Sequence, residues 1–591
     1  MQNNFKLSNN QIIFLFKETL YAMEVKKVNF FKIRAYQNAI AVFDTLTTSV
    51  YDIWQNNNLD SIPGIGTNIQ HHLNELFLTG TVKDWEDLKK GLPEGMFGLI
   101  GLRSVGAIKA FKLAQTFNLK NRETALDELL FFAKNQKIRE IEGFGEKSEL
   151  QILEAIEQSK THKSQKTRTL LLKAEEIMSD LQNYMYKLDC VKKVEACGSF
   201  RRRNPTVGDL DVPVATTDFK RTMEHFLKYT QIADIVTKGE KRSTVILKNE
   251  MQVDLYVVDT KSFGAMVQYF TGNKQHNILI RSFALDKGLS LSEYGIKNKY
   301  TNEITEFESE IDFYEFLGLQ YIPPEIRHGT NEIDLASKKM LPKLVEIKDI
   351  KGDLHIHTTD SPDSDNDLDE VILKCISLGY QYIGISDHVA SIQTHGYEKI
   401  QKIILEKRNK INIANQKYQK SGIKILLGYE VNILSNGELS WPDELLSLLD
   451  YAIAGVHSSL NQDKDTMTQR IISAIKNPYI NFIAHPTNRL INERSAVNAD
   501  WNLIFNTIKE YKKFLEINAN PQRLDLTYDL VKEALDIGIK FLINTDSHSI
   551  GNFDLMKYGV DVARMGWCRS NDIINCLNYN EFGKMFLKVK N

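Results

Sequence analysis

The chain has 591 residues, 42% of them hydrophobic and 25% charged, and a formal net charge of −2. That length exceeds one domain several-fold, and the ordinary composition excludes collagenous and broadly disordered classes. Five cysteines without a C-x-x-C spacing exclude a disulfide framework and a cysteine zinc finger, as a reducing cytosol would require, and no apolar run of about 18 residues or secretion-signal pattern points to a membrane or to export.

In chain order, residues 11–160 read as mainly helical, with short apolar-periodic segments separated by glycine turns. Three turns look alike: I-P-G-I-G at 62–66, R-S-V-G at 103–106 and I-E-G-F-G at 141–145, a weak internal repeat. Residues 157–168 are polar and basic and read as a linker into a helix near 169–188. Short β-branched runs at 191–196, 208–215, 243–247 and 251–258 read as strands. A mixed small lobe over 263–320 and a connector over 319–348 follow. From 350, strand-like runs at 353–357, 382–387, 424–433, 450–456, 480–484, 513–518 and 540–545 alternate with helix-length segments. These seven β/α units predict a parallel, barrel-like domain. Charge is uneven: residues 1–300 carry 42 Lys+Arg against 35 Asp+Glu, and residues 301–591 carry 32 against 41. The front half leans towards polyphosphate partners and the rear half towards cations.

Six of the seven histidines after residue 350 stand at the carboxyl end of an expected strand: His355, His357, His388, His457, His485 and His548. Glu430 and Asp546 occupy equivalent places; His395 follows no strand and reads as an ordinary loop residue. Strand ends of a β/α barrel converge on one face, and imidazoles gathered there with carboxylates suit zinc, manganese or iron. The motifs H-x-H-T, S-D-H, G-x-E, G-x-H, A-H-P and D-S-H, in that order, resemble the polymerase-and-histidinol-phosphatase (PHP) family. The resemblance implies phosphoester hydrolysis and a nine-ligand set for up to three ions, eight of which match the residues just named. The ninth belongs to a turn that reads S-P-D here, with Pro362 at the usual aspartate position. Asp363 is the expected substitute and Asp360 the alternative.

A second constellation begins at Cys197: C-G-S-F-R-R-R-N-P-T-V-G-D-L-D. Asp209 and Asp211 lie two apart on an expected strand and so face one side; carboxylates that close commonly hold a cation between them. Asp254, on the 251–258 run, supplies a third if that strand pairs nearby. The Gly198–Ser199 turn and Arg201, Arg202 and Arg203 offer N–H, hydroxyl and guanidinium groups for phosphate. Together with V-D-L at 253–255 this resembles the nucleotidyltransferase palm of family X DNA polymerases, which implies a Mg2+ site on Asp209, Asp211 and Asp254. Y-F-T-G-N at 269–273 resembles a Y-F-T-G-S segment of that family, with Asn273 in place of Ser. The resemblance implies that Tyr269, Phe270 and Gly272 shape the sugar pocket. Asn277 would reach the nucleotide's minor-groove edge and Arg281 the template, while Ser199, Arg202 and Gly208 would contact the triphosphate.

The glycines of the 62–66 and 141–145 turns permit tight turns whose following helix starts present N–H groups to a phosphate oxygen, a contact that reads backbone and not sequence. Gly64, Gly66, Gly143 and Gly145 resemble helix-hairpin-helix elements; the middle turn has Ser104 in place of its first glycine. Lys32, Arg34 and Tyr36 also match the family X amino-terminal domain. Where some members carry a lysine that forms a Schiff base, this chain has His72, preceded by His71, so no lysine-type lyase chemistry is expected.

The sequence as a whole resembles bacterial family X DNA polymerases with a carboxyl-terminal PHP domain. The expected fold class is multidomain α/β: a helical helix-hairpin-helix region, an α+β nucleotidyltransferase palm with a small thumb-like lobe, and a distorted (β/α)7 PHP barrel. Expected boundaries are 1–85 and 86–160 for two helical domains, 161–262 for the palm, 263–318 for the nucleotide-selection lobe, 319–348 for a linker and 349–591 for the barrel. The resemblance implies gap-filling synthesis in DNA repair and 3′–5′ exonuclease activity, with abasic-site cleavage as a further possibility. Expected cofactors are Mg2+ in the palm and Mn2+ or Zn2+ in the barrel. Expected partners are gapped or primer-template DNA and dNTPs, with no membrane, for a monomer in the bacterial cytoplasm, associated with the nucleoid. The alternatives are a phosphatase of small monoesters and a non-catalytic DNA-end-binding scaffold.

Overall fold

The computed structural model describes residues 5, 7, 9–45, 50–55, 59–62, 64–102, 105–161, 168–389 and 392–587. The chain divides into two compact units, Met1–Lys166 and Thr167–Asn591. No helix among the described residues is long and apolar enough to cross a membrane, and all five cysteines are free thiols.

The first unit is helical and has two cores. One gathers Ile12, Phe16, Tyr36, Phe43, Leu73, Phe77 and Trp85; the other gathers Ala22, Phe97, Leu113, Leu129, Ile152 and Ile156. The Asn9–Val25 helix contributes to both, because Ile12 and Phe16, four apart, share one face, whereas Ala22, six residues further on, points to another. The three glycine turns share one hydrogen bond: Ile65 N donates to Ile62 O at 3.4 Å, Val105 N to Leu102 O at 3.1 Å and Phe144 N to Ile141 O at 2.9 Å. Arg103 and Ser104 of the middle turn and Pro63 of the first lie outside the described residues. The Glu146–Thr161 helix runs into the segment expected to be a linker from 157, and 162–167 lie outside the described residues.

The second unit opens with a five-stranded sheet in the order Val191–Val194, Asp209–Thr216, Gln252–Val258, Arg242–Leu247, Ile232–Lys238. Only the Asp209–Thr216 and Gln252–Val258 strands run parallel, and their register sets Asp211 opposite Asp254. The Ile232–Lys238 edge strand was not expected: it has scarcely any buried face, so no alternation marks it in the sequence. A small lobe follows. Its core includes Leu319, Ile322, Ile326, Ile333, Leu341 and Leu344. The stretch read as a connector over 319–348 is therefore packed, because its apolar residues have a core to fill and its Arg327 is fully buried against Glu310.

The strands after residue 350 all pair in parallel. A three-stranded sheet (Gly352–Ile356, Tyr382–Ile385, Lys424–Leu427) and a five-stranded one (Glu430–Asn432, Ala452–Gly455, Ile480–Ile483, Phe514–Asn518, Phe541–Asn544) are joined by single bridges, Ile356 to Ser547 and His388 to Glu430. The run expected as one strand over 424–433 is two, broken at Gly428 and Tyr429. There the ring of Tyr451 leaves no room for a side chain: a Cβ on Gly428 would lie 2.3 Å from its Cζ. Tyr451 fills the barrel interior and donates to Leu354 O at 2.8 Å.

Candidate active sites

The barrel delivers its imidazoles and carboxylates to one place. His355 and His357 leave the first strand and His388 follows the second. Glu430 opens the fourth; His457 and His485 sit two residues past the fifth and sixth, and Asp546 and His548 follow the last. Glu430 is the hub. Its Oε1 lies 2.9 Å from His485 Nε2 and 3.1 Å from His457 Nε2, and its Oε2 lies 3.1 Å from His388 Nδ1 and 3.5 Å from His355 Nε2. Asp546 Oδ1 is 3.2 Å from Nε2 of both His355 and His357. Among the described residues, potential donor atoms cluster within 4.8 Å in three overlapping groups: His357/His388/His548, His355/His357/Glu430 and His388/Glu430/His457. Gly455 makes the room, since a Cβ there would lie 2.8 Å from Glu430 Oε1. His485 (φ +29°) and Asp546 (φ +54°) hold backbone conformations that L side chains rarely adopt, a strain found where the surroundings fix a functional side chain.

This donor set fits divalent ions. His355 Nε2, His357 Nε2, His485 Nδ1 and Glu430 Oε2 are buried and make no hydrogen bond of good geometry, even where an oppositely charged or imidazole atom stands 3.1–3.7 Å away. Each such atom costs on the order of 1–3 kcal/mol, a cost that coordination removes. Burial pushes the Glu430 carboxyl up, yet His457, His355 and His388 hold it well below the ordinary carboxylate range. Burial likewise opposes the imidazolium of His355, but Asp546, Glu516 and Glu430 raise it well above the usual value.

The turn after His357 separates its two aspartates. Asp360 is taken by Lys407 Nζ at 2.7 Å and by Lys410 Nζ at 3.3 Å. Asp363 points the other way, with Oδ2 3.4 Å from Nε2 of both His388 and His548.

In the palm, Asp209 is exposed, Asp211 half-buried and Asp254 buried on neighbouring strands. Burial, then Asp209 and Asp254, push the Asp211 carboxyl up to about 6. Burial opposes Asp254 too, but hydrogen bonds from Thr244 (2.5 Å), Arg242 (2.8 Å) and Gln252 (2.8 Å) hold it below the ordinary range. A contact chain leads on to the 269–273 segment. Tyr256 donates to Asp211 at 3.4 Å, its ring lies 4.0 Å from that of Phe270, Phe270 lies 5.1 Å from Tyr269, and Arg281 stands 5.0 Å over Tyr269. Asn277 donates to Tyr269 O at 2.7 Å.

The three arginines of the turn part company. Arg201 pairs with Glu310 at 2.9 Å, and Arg203 with Glu175 at 2.6 Å and Asp561 at 2.7 Å. Arg202 donates to Thr271 O and abuts Gly272, where a Cβ would lie 3.3 Å from Nη1; burial lowers its pKa to about 10. Arg202 thus stands beside the 269–273 segment, while the other two are spent on carboxylates. Ser199 lies in the short Gly198–Arg201 helical turn, and Gly208 lies under Arg168, whose Nη1 would be 2.9 Å from a Cβ there.

In the helical unit, Gly64 and Gly143 have φ of +84° and +86°, which favours glycine. Gly66, Gly106 and Gly145 differ: each stands just before a helix with no atom within 4 Å of a would-be Cβ. Nothing among the unit's described residues demands glycine there. Lys32 and Arg34 are exposed and Tyr36 is buried. His72 is held by Tyr36 (2.8 Å) and Asp84 (3.3 Å).

Four family models match the chain in order: a helix-hairpin-helix domain over 8–82, the DNA polymerase beta palm over 173–278, the DNA polymerase beta thumb over 266–328 and the PHP domain over 353–520. A DNA polymerase/3′-5′ exonuclease PolX of Bacillus subtilis is 32% identical over 98% of this chain and 100% of its own length. The chain belongs to the bacterial family X DNA polymerases with a carboxyl-terminal PHP domain. Probable phosphatases of Thermoanaerobacter sp. and Caldanaerobacter subterraneus are 28% and 27% identical, each over 34% of this chain and 82% and 79% of their own lengths.

For a member of this family, the site contains residues that sequence reading missed. Glu516 Oε1 accepts from His355 Nδ1 at 2.8 Å, and Oε2 accepts from His485 N at 2.7 Å. It thereby sets which ring nitrogen of His355 faces Glu430 and Asp546. Its signal was a carboxylate between apolar neighbours in the middle of a strand, F-L-E-I-N. Asp387 accepts from Thr358 N (2.6 Å) and Ser361 Oγ (3.0 Å) and pairs with buried Lys407 (2.7 Å), pinning the turn that carries Asp363.

Proposed function

We propose that the chain is a repair enzyme that fills short gaps by template-directed DNA synthesis in its palm and trims DNA 3′ ends as a 3′–5′ exonuclease in its barrel. One observation carries this reading: a single folded unit holds two separate donor clusters, the Asp209/Asp211/Asp254 carboxylates and the imidazole-rich barrel end. Bound divalent ions neutralise phosphate oxygens and favour nucleophilic attack and departure of the leaving group. We assign Mg2+ to the palm carboxylates. To the barrel we assign Mn2+ or Zn2+, up to three ions, held by His355, His357, Asp363, His388, Glu430, His457, His485, Asp546 and His548.

The protein's own groups do the positioning. Ser199, Arg202 and Gly208 take the triphosphate; with the other two arginines committed to carboxylates, Arg202 is the guanidinium that serves it. Tyr269, Phe270 and Gly272 border the sugar, Asn277 exchanges its bond to Tyr269 O for the nucleotide edge, and Arg281 meets the template. Gly64, Gly66, Gly143 and Gly145 open helix starts to DNA phosphates. With His72 at the lysine position and its ring held by Tyr36 and Asp84, no Schiff-base lyase step is assigned. The enzyme works in the cytoplasm on gapped or primer-template DNA.

A labelled gapped duplex with Mg2+ or Mn2+ tests the reading. Extension is expected with dNTPs and shortening from the 3′ end without them; absence of either product removes that half. The similarity of the barrel to probable phosphatases favours a second reading, hydrolysis of small monoesters. Faster turnover of histidinol phosphate than of primer ends would establish it.

A further inference from the structure

Both walls of the nucleotide pocket assigned above are tied to the outside of the barrel. Arg203 (φ +61°) ends the turn that carries Ser199 and Arg202. A non-glycine residue keeps this strained conformation only where its surroundings fix it. Here its Nε and Nη2 both lie 2.7 Å from Asp561 Oδ2, and Nη1 lies 2.6 Å from Glu175 Oε1. Glu175 also accepts from Tyr558 Oη at 2.5 Å and Lys557 Nζ at 2.8 Å. Lys557, Tyr558 and Asp561 all stand on the Met556–Met565 helix of the barrel, and Glu175 on the Leu171–Met185 helix of the palm. Two cations and two carboxylates thus close a balanced cluster across the domain boundary. On the other wall, Asn273 donates to His328 O at 3.0 Å. The ring of His328 stacks on barrel Tyr528 (centroids 5.1 Å apart, planes at 2°) and its Nε2 donates to Met565 O at 3.0 Å.

We propose that Asp561 is a positioning residue for nucleotide incorporation: through Arg203 the barrel helix fixes the turn that presents Ser199 and Arg202, so the exonuclease domain is a structural part of the polymerase pocket. This rests on the assignment of Ser199 and Arg202 to the triphosphate. Asp561 is not among the residues assigned above to nucleotide or metal; it contacts Arg203. Its effect belongs to the affinity of the pocket, not to the chemical step.

Steady-state gap filling by the full-length chain tests it. Asp561→Ala is expected to raise the KM for dNTP about tenfold, equivalent to about 1.4 kcal/mol, with kcat within about twofold and 3′ trimming by the same preparation unchanged. Asp561→Glu restores most of the loss. Arg203→Gly, which keeps the backbone conformation and removes the anchor, raises KM similarly. If Arg202→Ala raises KM while Asp561→Ala and Arg203→Gly leave it unchanged, the brace is overturned and the pocket stands. If Arg202→Ala leaves KM unchanged, the pocket assignment itself fails. Should Asp561→Ala lose trimming as well, Asp561→Asn and Arg203→Gly decide, and an unchanged KM in both overturns the proposal.

Discussion

Asp211, assigned above to the palm metal site, sits where burial and two neighbouring carboxylates oppose its charge. Its carboxyl is pushed up to about 6 by burial and by Asp209 and Asp254, whereas in the unfolded chain it titrates near 3.8. The folded state therefore binds the extra proton between about pH 4 and pH 6, and the contribution of this group falls as pH rises through that window, by at most about 3 kcal/mol. Asp211→Asn is expected to raise the thermal midpoint in EDTA at pH 8, to change it little at pH 4, and to abolish dNTP incorporation; an equal midpoint at pH 8 would show that the carboxylate is not strained. Glu516 acts in the opposite sense, holding His355 in one orientation at 2.8 Å. Glu516→Gln should lower trimming about 10–100-fold, the usual scale for losing a group that orients a metal ligand, and leave gap filling intact. Trimming at the normal rate would mean that His355 needs no such guide.

Among the local elements, the glycine turns make two separable demands. Gly64 adopts φ +84°, whereas Gly66 has φ −76° and open space around it. Ala at 64 meets backbone strain and is expected to destabilise the helical unit by about 1 kcal/mol. Ala at 66 leaves the fold unchanged and narrows the approach of a phosphate to the start of the Thr67–Thr79 helix. Thermal melts and gapped-DNA titrations over a salt series distinguish them: Gly66→Ala should weaken binding without shifting the melt. Unchanged DNA affinity in Gly66→Ala would assign that turn a connecting role only. The barrel shows the same logic, since Gly428 and Gly455 are required by the Tyr451 ring and by Glu430, the one splitting a strand and the other seating the hub carboxylate.

Across the full chain, the two donor clusters are separate, so the activities should separate by mutation. Asp209→Ala combined with Asp211→Ala should remove incorporation and spare trimming; His355→Ala should do the reverse, and EDTA should stop both. Joint loss from either variant with the fold intact would count against two independent sites. The dependence on Asp561 proposed above is the one expected crossing between them, and it concerns affinity alone.

The kinds of chemistry and their order are legible in the residues themselves. Side-chain alternation and the β/α rhythm are local properties, so they suffice to place six histidines at strand ends and Asp209 and Asp211 on one strand face. Which candidates are committed elsewhere is settled by packing, because their partners lie far off in the chain. Arg203 meets Asp561 358 residues away, His355 meets Glu516 161 residues away, and Asp360 meets Lys407 47 residues away. The 319–348 segment likewise has the polarity of a connector, and only the assembled lobe gives its apolar residues a core to fill. Local pattern fixes where a side chain can point, but only the closed fold decides what it finds there.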